Sequence, residues 1–451
     1  MLSNEQKGCE NMELQKTFPS VVKYMGSKTD VLDLIEKGFN FFKDDEHEVV
    51  CDLFAGSATL SAALRNKVNI ISNDIQMYSS VFASVYLENY EWDKYPEITE
   101  ISNQAYQRVM QFNEMFVEYK NKFDYNREFT LDEMNAIEEA QRKLIEVDKW
   151  KKFDEYYLFT QNYSGTYWSY DQCVWIDSYR SVIDKFKNDK AYYNLLLTCL
   201  IYAMAYNSQS TGHYAQYRIP ETDSSKEDIL IYRRKNITDF FERKYEELKE
   251  FLTEKNHFKY QTMAETDVNC LKKLPEHTLV YADPPYCFVH YSRFYHIIET
   301  LVKYDYPDVK YKGRYRTDRY QSEYCKKTDV KEAFEKMFAG VTHTKSDLIL
   351  SYTNSSTNTI LFEDLLHTFC ETFNPGIITE DVYKKCKKKC EKFFKNEKQE
   401  TIKVLDHKEI EDSGNYEIAM IKKPYNHSRM GRTNTKTIPV TEVVIIAKYI
   451  K

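Results

Sequence analysis

The sequence predicts an α/β fold in which a parallel sheet is interrupted by a mainly helical insertion. Three observations carry this reading. Short apolar runs alternate with helical patterns near the start of the chain, a long middle stretch shows helical periodicity alone, and strand-like runs return after it. At 451 residues the chain is long enough for two cores, one built around an insertion. The sheet is expected to draw on 1–90 and 256–451, with the insertion at 91–255.

Taken in order, TDVLDLIEKGFNFF (29–42) predicts a helix with Val31, Leu32, Ile35 and Phe39 on one face and Thr29 or Asp30 as its cap. VVCDLF (49–54) reads as a buried strand. The turn AGSA (55–58) leads into a helix over TLSAALRN (59–66), and NIISND (69–74) is a second strand that ends in an acid. Strand, turn, helix and strand make a βαβ unit. Within the insertion, Thr130 and Glu133 have the spacing of a capping box. Leu131, Met134, Ile137, Leu144 and Ile145 form an apolar stripe behind it. An aromatic, polar stretch, QNYSGTYWSYDQ (161–172), precedes YYNLLLTCLIYAMAY (192–206), which predicts a buried helix. Strands return at KYQTMAET (259–266), TLVYADPP (278–285) and DLILSYT (347–353). EIAMI (417–421) and EVVIIAKYI (442–450) follow, joined by a turn-rich basic connection, KKPYNHSRMGRTNTKT (422–437).

Composition is that of a soluble globular protein, 42% hydrophobic and 29% charged. No apolar run approaches the ~18 residues that span a bilayer. The first residues, MLSNEQKGCENMELQK, lack the basic start and apolar core of a signal peptide, so a cytoplasmic location is expected. The 10 cysteines have no framework spacing and read as free thiols. Cys386 and Cys390 lack a second ligand pair, so no metal site is expected there. Net charge is −7, but the charge is segregated. Residues 91–150 hold 14 acidic and 8 basic side chains, 310–327 hold 7 basic and 2 acidic, and 384–398 hold 8 lysines and 2 glutamates. Each run alone reads as a solvated helix face. The tyrosines interleaved with basic residues at 304–324 suit phosphate contact and base stacking.

The strongest chemical signal is Asp283-Pro284-Pro285-Tyr286, at the C-terminal end of an apolar strand, where open α/β sheets bind ligands. The residue types suit an exocyclic amine on a planar ring such as adenine, whose lone pair is delocalised and weakly nucleophilic. A carboxylate accepting one N–H helps to localise that pair, and the next carbonyl accepts the other N–H. Proline brings no competing N–H and fixes the backbone, and tyrosine offers a face on which a flipped-out base stacks. The plain alternative is a tight turn after a strand.

Asp52-Leu53-Phe54-Ala55-Gly56-Ser57 links a strand to a helix, with small residues that let the backbone approach a ligand. Asp74 ends the next strand, where an acid accepts from the ribose hydroxyls of a nucleoside cofactor. Lys23-Tyr24-Met25-Gly26-Ser27-Lys28 precedes a helix and suits an amino-acid carboxylate. Asp267 suits either the amine of the cofactor adenine or a helix cap.

In their order as well as their content (KYMGSK, DLFAGSA, the acid in SNDIQ, a long insertion, DPPY) these segments resemble the Dam-type, alpha-group adenine-N6 DNA methyltransferases. The resemblance is specific over 21–90 and 258–290. It implies a Rossmann-like S-adenosylmethionine (SAM)-dependent methyltransferase sheet with an inserted target-recognition domain at 91–255, within which Asn162–Trp168 looks like a family segment. It carries SAM contacts onto Tyr24, Lys28, Phe54, Gly56, Asp74 and Asp283, beside the candidates Asp52 and Asp267. It implies double-stranded DNA as partner, a cognate restriction enzyme as a common companion, and no metal. Ala58 stands where the family has glycine, which a negative φ would accommodate.

Beyond the tetrapeptide, Tyr291, Arg293 and Tyr295 are candidate contacts to the flipped base or its phosphates, with Phe288 and Phe294 as core. Arg314, Arg316 and Arg319 are candidate phosphate contacts, followed by Arg429 and Arg432. The same chemistry would serve adenine in RNA or the N4 amine of cytosine, but a long insertion favours a duplex groove. A catalytically silent DNA-binding subunit would show damage to DPPY or to the SAM segments, and both are intact. The residues specify neither a recognition sequence nor an oligomeric state, although monomeric action suits a hemimethylated product.

Overall fold

Ten strands are seen in the computed structural model, which describes residues 12–24, 28–45, 47–209, 213–355, 358–406, 415–427 and 438–450. They are β1 (Val49–Asp52), β2 (Asn69–Asn73), β3 (Tyr260–Met263), β4 (Leu279–Ala282), β5 (Val309–Lys310), β6 (Tyr315–Arg316), β7 (Asp347–Asn354), β8 (Thr401–Leu405), β9 (Tyr416–His427) and β10 (Ile438–Tyr449). Eight of them form one sheet in the order β3-β2-β1-β4-β7-β10-β9-β8, and β5 pairs with β6 alone. The first five strands of the sheet are parallel. The last three are antiparallel to their neighbours.

The parallel strands are near-continuous apolar runs because both of their faces are covered. Side chains alternate between those faces. Cys51, Ile71, Val280 and Leu348 meet the helices Val330–His343 and Phe362–Phe373 on one side. Val50, Ile70, Leu279 and Ile349 meet the helix Leu32–Asn40 on the other. That helix buries the expected face. It begins with a 3₁₀ turn, Lys28–Val31, so Val31 takes the N-cap position expected of Thr29 or Asp30.

Between the helix Met77–Leu87 and β3, every element among the described residues is helical. The capping box forms as the sequence predicts: Glu133 N–H donates to Thr130 Oγ1, and Thr130 N–H to Glu133 Oε2 at 2.9 Å. The helix Lys190–Asn207 is buried along nearly its whole length. Its core extends beyond the helical segment. Leu196 and Leu200 share one cluster with Phe82 and Val85 of the helix Met77–Leu87 and with Ile298 and Leu301. Only an outer cluster, containing Phe112, Phe116, Trp150, Tyr170 and Leu230, belongs to the helical segment alone.

Three features depart from the expected pattern. The sheet is not parallel throughout. β8 was not expected, because TIKVL follows a polar stretch and lies on the sheet edge, where its burial alternates. Third, β9 runs on to His427 and β10 begins at Ile438, so both ends of the expected turn-rich connection are strand. β8 pairs with β9 as far as Ile421, with Lys422 N–H still donating to the Glu400 carbonyl, and among the described residues no strand pairs that edge at Pro424. Arg429 and Arg432 lie outside the described residues. Among the described residues no helix is long and apolar enough to cross a membrane.

A buried ion pair ties the helical segment together. Arg233 donates through Nε and Nη2 to the Glu138 carboxylate at 2.7 and 3.0 Å, and the Tyr125 hydroxyl donates to the same carboxylate at 2.8 Å. The other guanidinium donors reach the carbonyls of Thr166 and Tyr167. Removing one partner leaves an uncompensated buried charge. Glu138→Ala is expected to lower unfolding stability by about 3–5 kcal/mol, read as a shift in urea midpoint at unchanged slope; a midpoint like that of the parent would contradict the role given to this pair.

Candidate active site

Each of four parallel strands delivers a carboxylate at its C-terminal end. Asp52 closes β1, Asp74 follows β2, Asp267 follows β3 and Asp283 follows β4. From β1 the chain builds outward through β2 and β3 on one side, and then through β4 and β7 on the other. This reversal opens a crevice at the strand ends. The four acids line one cavity there with Tyr24, Lys28, Phe54, Gly56, Pro284, Pro285, Tyr286 and Tyr291.

Lys28, at the start of the first 3₁₀ turn, places its Nζ 2.9 Å from Asp283 Oδ1. Burial pushes the Asp283 carboxyl above its usual range, and the Lys28 ammonium pulls it back. Burial opposes the charge on Lys28, yet Asp283, Tyr281 and Glu442 together hold it above the usual lysine range. Glu442 is buried on β10, with Oε2 lacking a hydrogen-bond partner among the described residues. Burial raises its carboxyl to about 7, against the pull of Lys28.

Asp52 is also buried, and its Oδ1 has no partner among the described residues. Burial, with repulsion from Asp283 and Asp74, lifts it well above the carboxylate range. Asp74 accepts from the backbone N–H of Gly56 and of Gln76, each at 2.9 Å. Burial raises its carboxyl to about 6, and these two donors restrain the rise. Gly56 has φ +54°, and a Cβ there would lie 3.2 Å from the Tyr24 ring, so the turn needs glycine twice over. Ala58 has φ +58°. The negative φ expected for it is not found, and the alanine holds a left-handed backbone that glycine adopts more readily. Asp267 is not the cap of its helix: Thr266 is, accepting from Asn269 N–H. Asp267 instead accepts from the Tyr324 hydroxyl at 2.6 Å, and burial raises its carboxyl.

Tyrosines form one wall. Tyr24 stacks on Tyr295 with ring centroids 4.4 Å apart and on Tyr291 at 5.9 Å. Phe54 meets Tyr324 edge-on at 5.5 Å. Tyr286 packs edge-on against Tyr352 at 6.0 Å, and its carbonyl accepts from Thr359 N–H at 3.0 Å.

The expected nucleic-acid contacts divide. Tyr291 lines the cavity and Arg293 is exposed beside the Tyr315 hydroxyl, 3.1 Å away. Arg319 is half-buried and reaches Ser292 Oγ at 3.4 Å. Arg316 corrects the expectation: it is buried, and both edges of its guanidinium are paired with Asp305 and Asp318. Arg314 is a second correction, because its donors bind the carbonyls of Asn162 and Arg142. Tyr295 is buried, whereas Phe288, expected in the core, is 52% exposed. Several tyrosines of 304–324 are likewise tied inward; Tyr304 donates to Asp177 and Tyr306 to the Glu155 carbonyl. Tyr320 and Tyr324 line the cavity unexpectedly, and Glu442 attracts Lys28 without lining it. Glu442 carried a signal, an acid opening an otherwise apolar strand, whereas the two tyrosines were hidden in a run of tyrosines.

The sequence model of the D12 class N6 adenine-specific DNA methyltransferases matches residues 24–369. The chain belongs to this family. It is 24% identical over 434 residues to the type II methyltransferase M.FokI of Planomicrobium okeanokoites, a match covering 90% of this chain and 57% of that protein. It is 23% identical over 340 residues to the modification methylase LlaI of Lactococcus lactis subsp. lactis, covering 74% and 46%. The modification methylase StsI of Streptococcus sanguinis is 23% identical over 440 residues, covering 95% and 56%. The chain therefore spans about half the length of these relatives. Tyr24, Lys28 and the four strand-end acids fall inside the family match, and Glu442 falls beyond it.

The Lys28 ammonium faces Asp283 and lies in the field of Glu442. In Lys28→Met both carboxyls lose that cation, so their pKa values are expected to rise further. An acid with a raised native pKa loses stability as pH climbs from its unfolded value towards its native one. The variant is therefore expected to melt progressively lower than the parent as pH rises from about 5 to 8. A constant offset in melting temperature across that range would remove Lys28 from the electrostatics of the site.

Proposed function

We propose that the chain is a SAM-dependent methyltransferase that transfers a methyl group to N6 of an adenine flipped out of duplex DNA. One observation carries the reading: Asp283, paired with Lys28 and followed by Pro284-Pro285-Tyr286, sits in a tyrosine-walled cavity at the strand ends. The cavity fits a nucleoside cofactor bearing a cationic sulfur. Gly56 leaves room beside Tyr24, Asp52 keeps a buried oxygen without a partner, and acids outnumber Lys28 around it. Asp74 would accept from the ribose hydroxyls, Asp267 would face the adenine amine, and Phe54 and Tyr24 would pack on the nucleoside. SAM supplies the methyl group from its sulfonium.

The rest falls to the chain. Asp283 and the carbonyl of Pro284 accept the two N–H groups of the target amine and localise its lone pair. Tyr286 holds the base by its face. With SAM bound, the amine nitrogen held by Asp283 and Pro284 would take the methyl group as its bond to sulfur broke onto sulfur, with S-adenosylhomocysteine as the leaving product. The surplus proton on N6 leaves on the side of Asp283. Well-oriented reactants gain roughly 7–11 kcal/mol, so positioning does most of the work.

The helical segment 91–255 is proposed as the target-recognition domain, its outer cluster being the part free to present a surface to DNA. The names of the relatives support a restriction–modification or phage-defence setting, with a cognate nuclease as companion. A DNA substrate puts the proposed reaction in the cytoplasm.

Methyl transfer from labelled SAM tests the proposal, with duplex DNA and RNA offered separately and the product nucleoside identified by mass spectrometry. N6-methyladenine in DNA is expected, and Asp283→Ala is expected to lose it while keeping its fold. Label in cytosine or RNA overturns the substrate, and full activity in the variant removes Asp283 from the chemistry.

Asp74 gives a pH dependence. Its carboxyl is protonated below about 6 in the free protein, where it accepts poorly from the ribose hydroxyls. SAM affinity, measured by calorimetry, is expected to weaken as pH falls through 6 and to show no such step in Asp74→Asn. A step of equal size in both proteins would contradict the ribose role.

A further inference from the structure

Two segments far apart in sequence, at Lys23 and at 235–243, bring cations against the rings of a third. The rings of Tyr202 and Tyr206, on the last turns of the helix Lys190–Asn207, stack with centroids 4.3 Å apart, and Tyr206 stacks on Phe240 at 5.9 Å. Lys23 places its ammonium 4.2 Å from the Tyr206 ring centroid. Lys235 lies 3.9 Å from that of Tyr232 and 5.6 Å from that of Phe240. The Arg243 guanidinium lies 4.7 Å from Phe240 and 5.8 Å from Tyr202.

Their polar contacts are to neutral oxygens. Lys235 donates to the Tyr206 carbonyl and Arg243 to the Tyr202 hydroxyl, both at 3.1 Å. Among the described residues no carboxylate lies within ion-pair distance of Lys23, Lys235 or Arg243. Asp228 attracts Lys235 from further away but is itself paired with Arg218 at 2.6 Å. The charges repel one another: burial and then Lys235 lower the Lys23 ammonium, and burial and then Arg243 lower that of Lys235. Aromatic faces attract such cations without neutralising them. Lys244 also lies over the Tyr202 ring, at 4.0 Å, but is paired with Glu247, so in a chain of net charge −7 three cations of the cluster have no carboxylate ion pair among the described residues.

The cluster is tied to the cavity wall through the chain. Lys23 directly precedes Tyr24, whose ring forms a cavity wall. Beyond the helix Lys190–Asn207, Tyr214 N–H donates to the Phe294 carbonyl and His213 stacks on the Phe294 ring, next to Tyr291. We propose that this cation–aromatic cluster holds backbone phosphates of duplex DNA beside the cavity, on the flank of the helical segment. The inference rests on the DNA methyltransferase reading. It replaces Arg314 and Arg316, whose donors are spent inside the protein. The rings are occupied by cations, so the cluster senses charge and not base identity.

The test is the salt dependence of binding to a mixed-sequence duplex, followed by fluorescence anisotropy. In the double variant Lys235→Gln/Arg243→Gln the slope of log affinity against log salt is expected to flatten by about 0.9 for each phosphate no longer neutralised, near 1.8 in all. Affinity is expected to fall on every sequence alike, while SAM affinity by calorimetry stays at the parent value and reports an intact fold. The charge-keeping pair Lys235→Arg/Arg243→Lys is expected to retain the parent slope. Should the double variant fail to fold, Lys23→Gln alone is expected to flatten the slope by about 0.9. A parental slope in a folded glutamine variant overturns the cluster and leaves adenine methylation standing. A parent protein that binds no duplex overturns the proposed function, and this inference with it.

Discussion

Carboxylates held out of water at the ends of neighbouring strands repel one another, and the site depends on how that repulsion is contained. Asp52, Asp74 and Asp283 each sit where a parallel strand stops, and register keeps those strands side by side. Lys28 answers Asp283 directly and draws on the field of Glu442, while two backbone donors steady Asp74. Asp52 is eased only by the Phe54 backbone and keeps one oxygen without a partner among the described residues. The free protein thus holds less positive charge in the cavity than its acids call for, and a cationic ligand would complete the balance.

The architecture explains why those groups meet at all. A parallel strand needs a crossover before the next, so each strand end opens onto a loop at the same edge of the sheet. Residues 24 to 283 are brought together by this rule and not by proximity in sequence. The antiparallel addition at β10 extends the same edge and brings Glu442 up to Lys28 from a part of the chain outside the family match.

What the sequence made legible follows the same physics. Buried strands announce themselves as apolar runs, and DPPY at the end of one carries chemistry in four adjacent residues. β8 was silent because an edge strand needs only one buried face, and the ends of β9 and β10 were silent because they run past the neighbouring strands. Basic residues misled for a different reason. Arg316 and Arg293 look alike in a sequence, but only the fold shows that Asp305 and Asp318 have already claimed one of them. The cluster of Lys23, Lys235 and Arg243 could not be read in advance, since it exists only once Lys23 and the 235–243 segment are folded against the rings of the helix Lys190–Asn207. Ala58 shows the converse: an ordinary alanine in the sequence whose backbone, at the N-cap of the helix Thr59–Ala63, is left-handed.

The shared inner core of the helical segment bears on how such proteins diversify. Leu196 and Leu200 share a cluster with the helix Met77–Leu87, which itself packs on β2 and β3, so the segment is not a cassette that can be lifted out and exchanged whole. Cutting at its ends would leave the helix Met77–Leu87 with an open apolar flank. The outer cluster around Trp150 is insulated from that dependence. Drift or grafting confined to the outer shell would leave the shared inner core intact, so sequence change is cheapest there.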